Sequence, residues 1–561
     1  MTDAVSLTDA FLLSSTSRKT DMTRKPTHLD AIVIGAGFAG IYMLHKLRNE
    51  LGVRVRAFER GTGIGGTWHW NRYPGAAADV DSIVYRYSFD SDLLREWNWK
   101  NRYATQPEIL AYLEHVVDRF ELREDIQLDT TVESLTFDED SNLWTARTDR
   151  GEEFTATYVV GALGPLSTPI FPDIEGRDSF AGTQVHTGAW PEGFDITGKK
   201  VGVIGTGSTG TQFVGAAARM TEHLTVFQRS AQYVVPAGDA PLSDEFIEDY
   251  RENHEQFWKQ VFDSRVACGF QESETSAMEV SVEERERRFE ESWEKGNGFH
   301  FMFGTFADIA FNPESNEAAA SFIRSKIAEI VRDPETARKL MPTDFYAKRP
   351  ICNTGYYETY NRDNVTLVST KENPIVRITP TGVETEDGTR HDLDVLVFAT
   401  GYEAMQGSYN RIDIRGRGGV TLKEHWGEAP SSYLGVATTG FPNLFTVFGP
   451  NSVFSNLPPA LQTQVDWIAE TIEAARRRGI ATVEATAAAE EEWTAMCREM
   501  AEHSLFAQTD SWIFGSNIPG KKRRTLFYFG GIAAYREKLR EIVAADYEGF
   551  TLDHEGSPTA A

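Results

Sequence analysis

Four apolar runs along the chain each lead into a glycine turn, and they group into two similar units. Ile32-Val33-Ile34 enters Gly35-Ala36-Gly37-Phe38-Ala39-Gly40, and Val201-Gly202-Val203-Ile204 enters Gly205-Thr206-Gly207-Ser208-Thr209-Gly210. Each reads as a buried strand, a G-x-G-x-x-G turn, a helix and a second strand. The second strands end at Glu59 and Arg229, at the same offset from the first glycine of their turn. The other two runs, Thr157–Gly164 and Leu393–Gly401, are apolar strands that close the units at a glycine. Alternating strands and helices of this kind predict an α/β fold.

The second unit is interrupted after Pro236 and resumes near Lys348 by a stretch with helical periodicity. Ser243 caps a segment that places Phe246, Ile247, Tyr250, Phe257, Trp258 and Val261 on one face. Ser281 and Glu284 predict a capping box, with Gly296 ending that helix. A third helix carries Phe322, Ile323, Ile327, Ile330 and Val331 and stops before Pro334. The insert reads equally as a lid or as a packing layer. The chain beyond Gly401 is expected to return to the first unit.

The two turns aim helix N-terminal amides at a pyrophosphate, and the strand ends choose the nucleotide. An acid such as Glu59 accepts from a ribose 2′-hydroxyl, whereas Arg229 suits a 2′-phosphate. The pattern therefore predicts two different dinucleotides, the second being NADPH. After the first turn, the paired glycines of Gly65-Gly66-Thr67-Trp68-His69-Trp70 allow close backbone approach, and Trp68 and Trp70 could wall a flat ring.

Size and charge narrow the partners. The 561 residues, 41% of them hydrophobic, suffice for roughly three or four structural units. Acidic residues outnumber basic ones by 83 to 56, a net charge of −27 that opposes binding to nucleic acid or an anionic membrane. No apolar run approaches a membrane span. Cys268, Cys352 and Cys497 are isolated, which predicts a reducing, cytoplasmic setting and excludes a redox dithiol. Residues 1–27, rich in Ser and Thr, read as a disordered tail or as residues ahead of a true start at Met22.

Between the units lies Phe180-Ala181-Gly182-Thr183-Gln184-Val185-His186-Thr187-Gly188-Ala189-Trp190-Pro191. Its F-x-G-x-x-x-H-x-x-x-W-P spacing resembles the fingerprint of Baeyer–Villiger monooxygenases, flavoproteins that insert oxygen beside a ketone carbonyl. The resemblance runs from about residue 29 to 550 and is greatest to the cyclohexanone monooxygenase group. Other matching stretches are Thr343–Pro350, Gly449-Pro450-Asn451, Asn456-Leu457-Pro458-Pro459 and Ser511–Lys522. It implies two discontinuous Rossmann-like domains. FAD would occupy 28–165 with 400–561, NADPH 166–236 with 345–399, and the helical insert 237–344.

The resemblance also implies the chemistry: NADPH reduces FAD, O₂ adds to it, and the resulting C4a-peroxyflavin attacks a ketone, giving an ester or, from a ring, a lactone. It places the catalytic cation on Arg349, held by Asp79, and the 2′-phosphate grip on Lys348 with Arg229. It carries cofactor contacts to Gly35, Gly37, Phe38, Gly40, Glu59, Arg60, Gly66, Thr67, Trp68, Asp79, Tyr85, Gly205, Gly207, Ser208, Thr209, Gly210, Gln212, Arg229, Ser230, Lys348 and Trp512. Trp512 would sit on a mobile loop folding over the nicotinamide. Phe299, Phe454, Leu457, Trp512 and Pro165 would line the substrate pocket. His186 reads as orienting the linker formed by Phe180, Gly182, Trp190 and Pro191, with no catalytic part.

No metal is expected. The partners are a small ketone and O₂, and the expected state is a monomer or weak homo-oligomer. Ala77-Ala78, Pro165, Ser452-Val453 and Glu403 depart from the family pattern, which leaves the ketone open. The run Lys521-Lys522-Arg523-Arg524 reads as a solvated face or a phosphate contact. Two alternatives stand beside the main reading: an N- or S-oxygenating flavin monooxygenase, and an NADPH-binding flavoprotein that oxygenates nothing.

Overall fold

The structure is a computed structural model that describes residues 26–518 and 520–554. The expected tail falls almost entirely outside these residues. Its last residue, Thr27, instead begins the first strand, where it pairs with Phe154.

Two Rossmann-like sheets organise the chain. In the first, Thr27–Ile34 lies between Val55–Phe58 and Glu153–Gly161, parallel to both. The antiparallel strands Val132–Asp138 and Leu143–Thr148 extend it. Two late strands also join it. Leu444–Thr446 pairs with Glu153–Gly161, and Asp413–Arg415 pairs with Val132–Asp138. The second sheet is wholly parallel. Lys200–Ile204 runs between His223–Gln228 and Val395–Phe398, flanked by Val365–Ser369 and Thr183–His186.

The third glycine of each turn is fixed by packing. A Cβ at Gly40 would stand 1.8 Å from the Gly35 carbonyl oxygen, and one at Gly210 2.2 Å from that of Gly205. Only glycine lets the helices Phe38–His45 and Ser208–Ala217 start so close to their strands.

The insert is helical, with helices Asp244–Asp263, Val282–Lys295, Pro313–Ile330 and Pro334–Leu340. Its ends are held together by a short parallel pair, Val234–Val235 with Ile351–Cys352. Two details differ from the sequence reading. The first helix buries Tyr250, His254, Trp258 and Val261, whereas Phe246 is 41% exposed. The inward stripe therefore runs at i, i+4 and i+8 from Tyr250 and bypasses the first turn. At the second helix, Ser281 Oγ accepts from the Glu284 amide at 3.2 Å, but the Glu284 carboxylate turns to Arg287 and Arg288. Half of the capping box forms because two guanidiniums outbid one backbone N–H for that carboxylate.

Among the described residues no helix is long and apolar enough to cross a membrane.

Candidate functional site

Both glycine turns place helix N-termini at the carboxyl ends of their central strands, where α/β sheets bind nucleotides. Glu59, buried just past its strand, accepts from Ala36 N (2.9 Å) and Gly61 N (2.8 Å). Each carboxylate oxygen keeps a second lone pair, so ribose hydroxyls still have acceptors. At the second turn a Cβ built on Gly207 would meet nothing within 4 Å, leaving open space over the helix start. Arg229 and Ser230 are exposed there, and among the described residues Arg229 has no ion-pair partner. These features fit two dinucleotides, one of them carrying a 2′-phosphate.

Gln212, on the second helix, faces the first domain. It accepts from the Tyr73 hydroxyl at 2.7 Å and donates to Ala77 O at 3.0 Å, and Thr209 lies beside the same hydroxyl. Burial pushes the Tyr73 phenol upward, so it stays a neutral donor.

Phe38, Trp68 and Tyr85 form one aromatic wall. Tyr85 meets Phe38 and Trp68 edge-on, each with ring centroids at 5.5 Å. Gly66 and Thr67 open the short helix that carries Trp68. Trp70, read from sequence as a second wall, faces elsewhere. It lies under the Arg60 guanidinium at 5.0 Å, and its carbonyl accepts from Trp190 N. Helical spacing explains this, because residues two apart do not share a face.

Arg349 and Asp79, 270 residues apart, meet in a two-pronged ion pair, with Arg349 Nη2 donating to Asp79 Oδ1 at 2.7 Å and Nη1 to Oδ2. The Ser208 hydroxyl donates to the same carboxylate at 3.3 Å, tying the start of the second nucleotide helix to the pair. Nothing in the spacing of Ser208 announced this contact. The Arg349 side chain is 28% exposed, so part of it opens onto a cleft. Burial lowers its pKa, but Asp79 outweighs that and holds it above the usual arginine value. The Phe299 ring lies 5.3 Å from the guanidinium carbon, a cation–π contact.

Lys348, next in sequence, pairs with Asp344. It and Arg349 line a small pocket with Gln232, Tyr233 and Tyr346.

Phe454 and Trp512 meet on Phe527, with centroids 5.5 and 5.7 Å away. Leu457 begins the helix Leu457–Arg478, and the preceding Asn456 donates to Val84 O at 3.0 Å, beside the Tyr85 wall. Pro165 lies against the turn after Ala399-Thr400-Gly401, its carbonyl accepting from Met405 N.

Three residues of the basic run that follows Trp512 face carboxylates, the Lys522 and Arg523 pairs being open to solvent. Lys521 pairs with Glu403 (2.6 Å), Lys522 with Glu428 (2.6 Å) and Arg523 with Asp510 (3.6 Å), so these charges are spent on carboxylates of the chain. Glu403, a departure from the family pattern, thus serves as an anchor.

His186 is buried, accepts from Gly188 N at 3.0 Å and packs edge-on against Phe171 and Tyr402. Burial pushes it down to about 4, so at neutral pH it is an uncharged linker residue. Phe180 and Trp190 are buried, Pro191 is exposed, and a Cβ on Gly182 would strike Asp394 O at 2.5 Å.

Residues 29–256 match a family model described as pyridine nucleotide-disulphide oxidoreductase. The three cysteines argue against dithiol chemistry, being free and buried, with Cys352 pushed up to about 12 by burial and then by Asp79. We expect no alkylation of the folded protein by iodoacetamide at neutral pH and three alkylations after denaturation, read by intact mass. One rapid alkylation before unfolding would expose a reactive thiol.

Full-length relatives are more specific. The chain is 60% identical to a phenazine N-monooxygenase of Lysobacter antibioticus, covering 95% of this chain and 99% of the relative. It is 52% identical to a Baeyer–Villiger monooxygenase of Pseudooceanicola batsensis, covering 93% and 96%. A solved cyclohexanone monooxygenase from Rhodococcus bound to NADP⁺ superposes with a TM-score of 0.94 at 57% identity, over 94% of this chain and all of that one. With two nucleotide turns, a guanidinium–carboxylate pair between them and this identity along the whole length, the chain belongs to the Baeyer–Villiger monooxygenase family of flavoproteins.

Proposed function

We propose that this protein uses NADPH and O₂ to convert ketones, cyclic ones above all, into esters and lactones. The observation that carries this reading is the Arg349–Asp79 pair, set between the aromatic wall and the start of the second nucleotide helix. When bound, FAD supplies activated oxygen and NADPH the reducing electrons.

The chain's own residues account for the rest. Glu59 accepts from the ribose of FAD, and the wall of Phe38, Trp68 and Tyr85 shapes the space for its ring system. Arg229 and Lys348 take the 2′-phosphate of NADPH. Attack on a ketone places negative charge on oxygen, and the Arg349 guanidinium stabilises it without giving up a proton. Asp79 takes two of its five N–H donors, so the guanidinium keeps others with which to meet a reacting oxygen. Phe454, Trp512 and Phe527 form an apolar cluster that would exclude water from a bound ketone, since bulk solvent weakens such an attraction. The three shielded thiols suit a reducing cytoplasm.

The 60% identity to a phenazine N-monooxygenase favours a second reading, oxygen transfer to an aromatic ring nitrogen. A ring nitrogen attacks an electrophilic oxygen, so that reaction leans less on the guanidinium. The deciding experiment supplies NADPH with cyclic ketones of increasing ring size, and in parallel with phenazine, and identifies products by mass. Lactones one oxygen heavier than the ketone are expected. Hydrogen peroxide equal to NADPH consumed, with no lactone from any ketone, would overturn the ketone reading. N-oxide alone would install the second.

A further inference from the structure

Two residues beyond Asp79, a second carboxylate makes a different set of contacts. Asp81 Oδ1 accepts from Arg102 Nε at 2.9 Å and from Asn297 Nδ2 at 3.1 Å. Both donors lead into the helical insert. Arg102 Nη1 donates to Lys295 O at 2.7 Å and to Gly238 O at 3.4 Å, so one guanidinium joins the start of the insert to the end of its second helix. Asn297 is buried, with a left-handed backbone at φ 86°. Its amide nitrogen donates to Pro236 O at 3.0 Å, and its side-chain oxygen accepts from His300 N at 3.1 Å. Between Asn297 and His300 lie Gly298 and Phe299, and the Phe299 ring lies under Arg349.

One short segment, Asp79 to Asp81, therefore grips both the guanidinium and the turn bearing the ring beneath it. We propose that Asp81, Arg102 and Asn297 form a positioning unit that sets the Phe299 ring against Arg349, and so determines how bulky a ketone the site accepts. None of the three need touch substrate. Their role rests on the ketone reading above.

A left-handed non-glycine backbone supports this, since such a conformation costs free energy and persists where its surroundings fix it. A structural joint alone would be served by glycine, which adopts φ 86° without strain. What glycine lacks is the amide that joins Asp81 to His300 N. The surrounding carboxylate is also an unfavourable thing to half-bury. Burial raises the Asp81 carboxyl above its usual value, opposed in part by Arg102 and Asn297.

The test is Asn297→Gly, which keeps the turn and removes the amide. The holoenzyme is assayed with cyclohexanone and with the bulkier 2-phenylcyclohexanone. The ratio of kcat/KM for the small ketone over the bulky one is expected to fall threefold or more, carried by a higher KM for cyclohexanone. Calorimetric titration of cyclohexanone into the oxidised, NADP⁺-loaded enzyme should weaken in step. A ratio that falls less than threefold, stays or rises overturns the proposal, as does an equal loss of kcat on both ketones with KM unmoved. Parent enzyme that forms ester from neither ketone overturns the ketone reading instead. The same ratio on phenazine against a bulkier substituted phenazine then decides the positioning unit.

Discussion

Replacing Arg349 with alanine is expected to lower ester formation at least about 100-fold, while bleaching of the flavin absorbance by NADPH without oxygen remains measurable. Hydride transfer needs the nucleotides aligned, whereas the later steps need a cation where oxygen becomes negative. Arg349 is the residue proposed for that cation, since a guanidinium is charged at any working pH. Its pairing with Asp79 does not cancel it: the carboxylate occupies two N–H donors and orients the others. A lysine should recover little, since one ammonium cannot reproduce a planar, two-pronged contact. The alanine variant also leaves Asp79, only 13% exposed, without its partner. Adding Asp79→Asn to it removes that stranded charge, so any stability regained while activity stays low separates lost chemistry from lost folding. Ester formation within tenfold of the parent would remove Arg349 from the reaction.

The parts of this site that sequence revealed are those written in short stretches of chain. The turns at Gly35 and Gly205 are local, because their glycines answer a clash between a helix start and its own strand. Contacts between distant segments were another matter. The return of the later chain to the first unit was an expectation with no local signal behind it, and the pairing of Leu444–Thr446 with Glu153–Gly161 is a contact between segments far apart in the chain. That Ser208 reaches Asp79, or Asn297 reaches Asp81, depends on how the two domains and the insert pack. Faces drawn from periodicity failed at a helix end, where Phe246 lies outside the packed stripe. The charge run is the solvated face that sequence offered at Lys522 and Arg523, while the Lys521–Glu403 pair joins segments far apart in the chain.

Arg229→Ala is expected to raise KM for NADPH about tenfold or more and KM for NADH less than twofold, at saturating ketone. The protein carries a net charge of −27, so a nucleotide with an extra phosphate approaches a repelling molecule. A local cation must offset this, and Arg229 stands exposed at the strand end with no carboxylate on it among the described residues. A charge-assisted hydrogen bond contributes about 1.5–3 kcal/mol, and exposure to solvent puts this one near the lower figure, which is about tenfold in binding. Lys348, proposed for the same phosphate, starts under a handicap, since Asp344 already holds it. Lys348→Ala should therefore cost less than Arg229→Ala, and Asp344→Asn, by freeing the ammonium, should lower KM for NADPH. Added salt should raise the parent's KM for NADPH and barely move that of the Arg229 variant, because screening and deletion remove the same attraction. Equal losses with NADPH and NADH would mean that Arg229 holds something common to both nucleotides, and the phosphate would have to be read elsewhere.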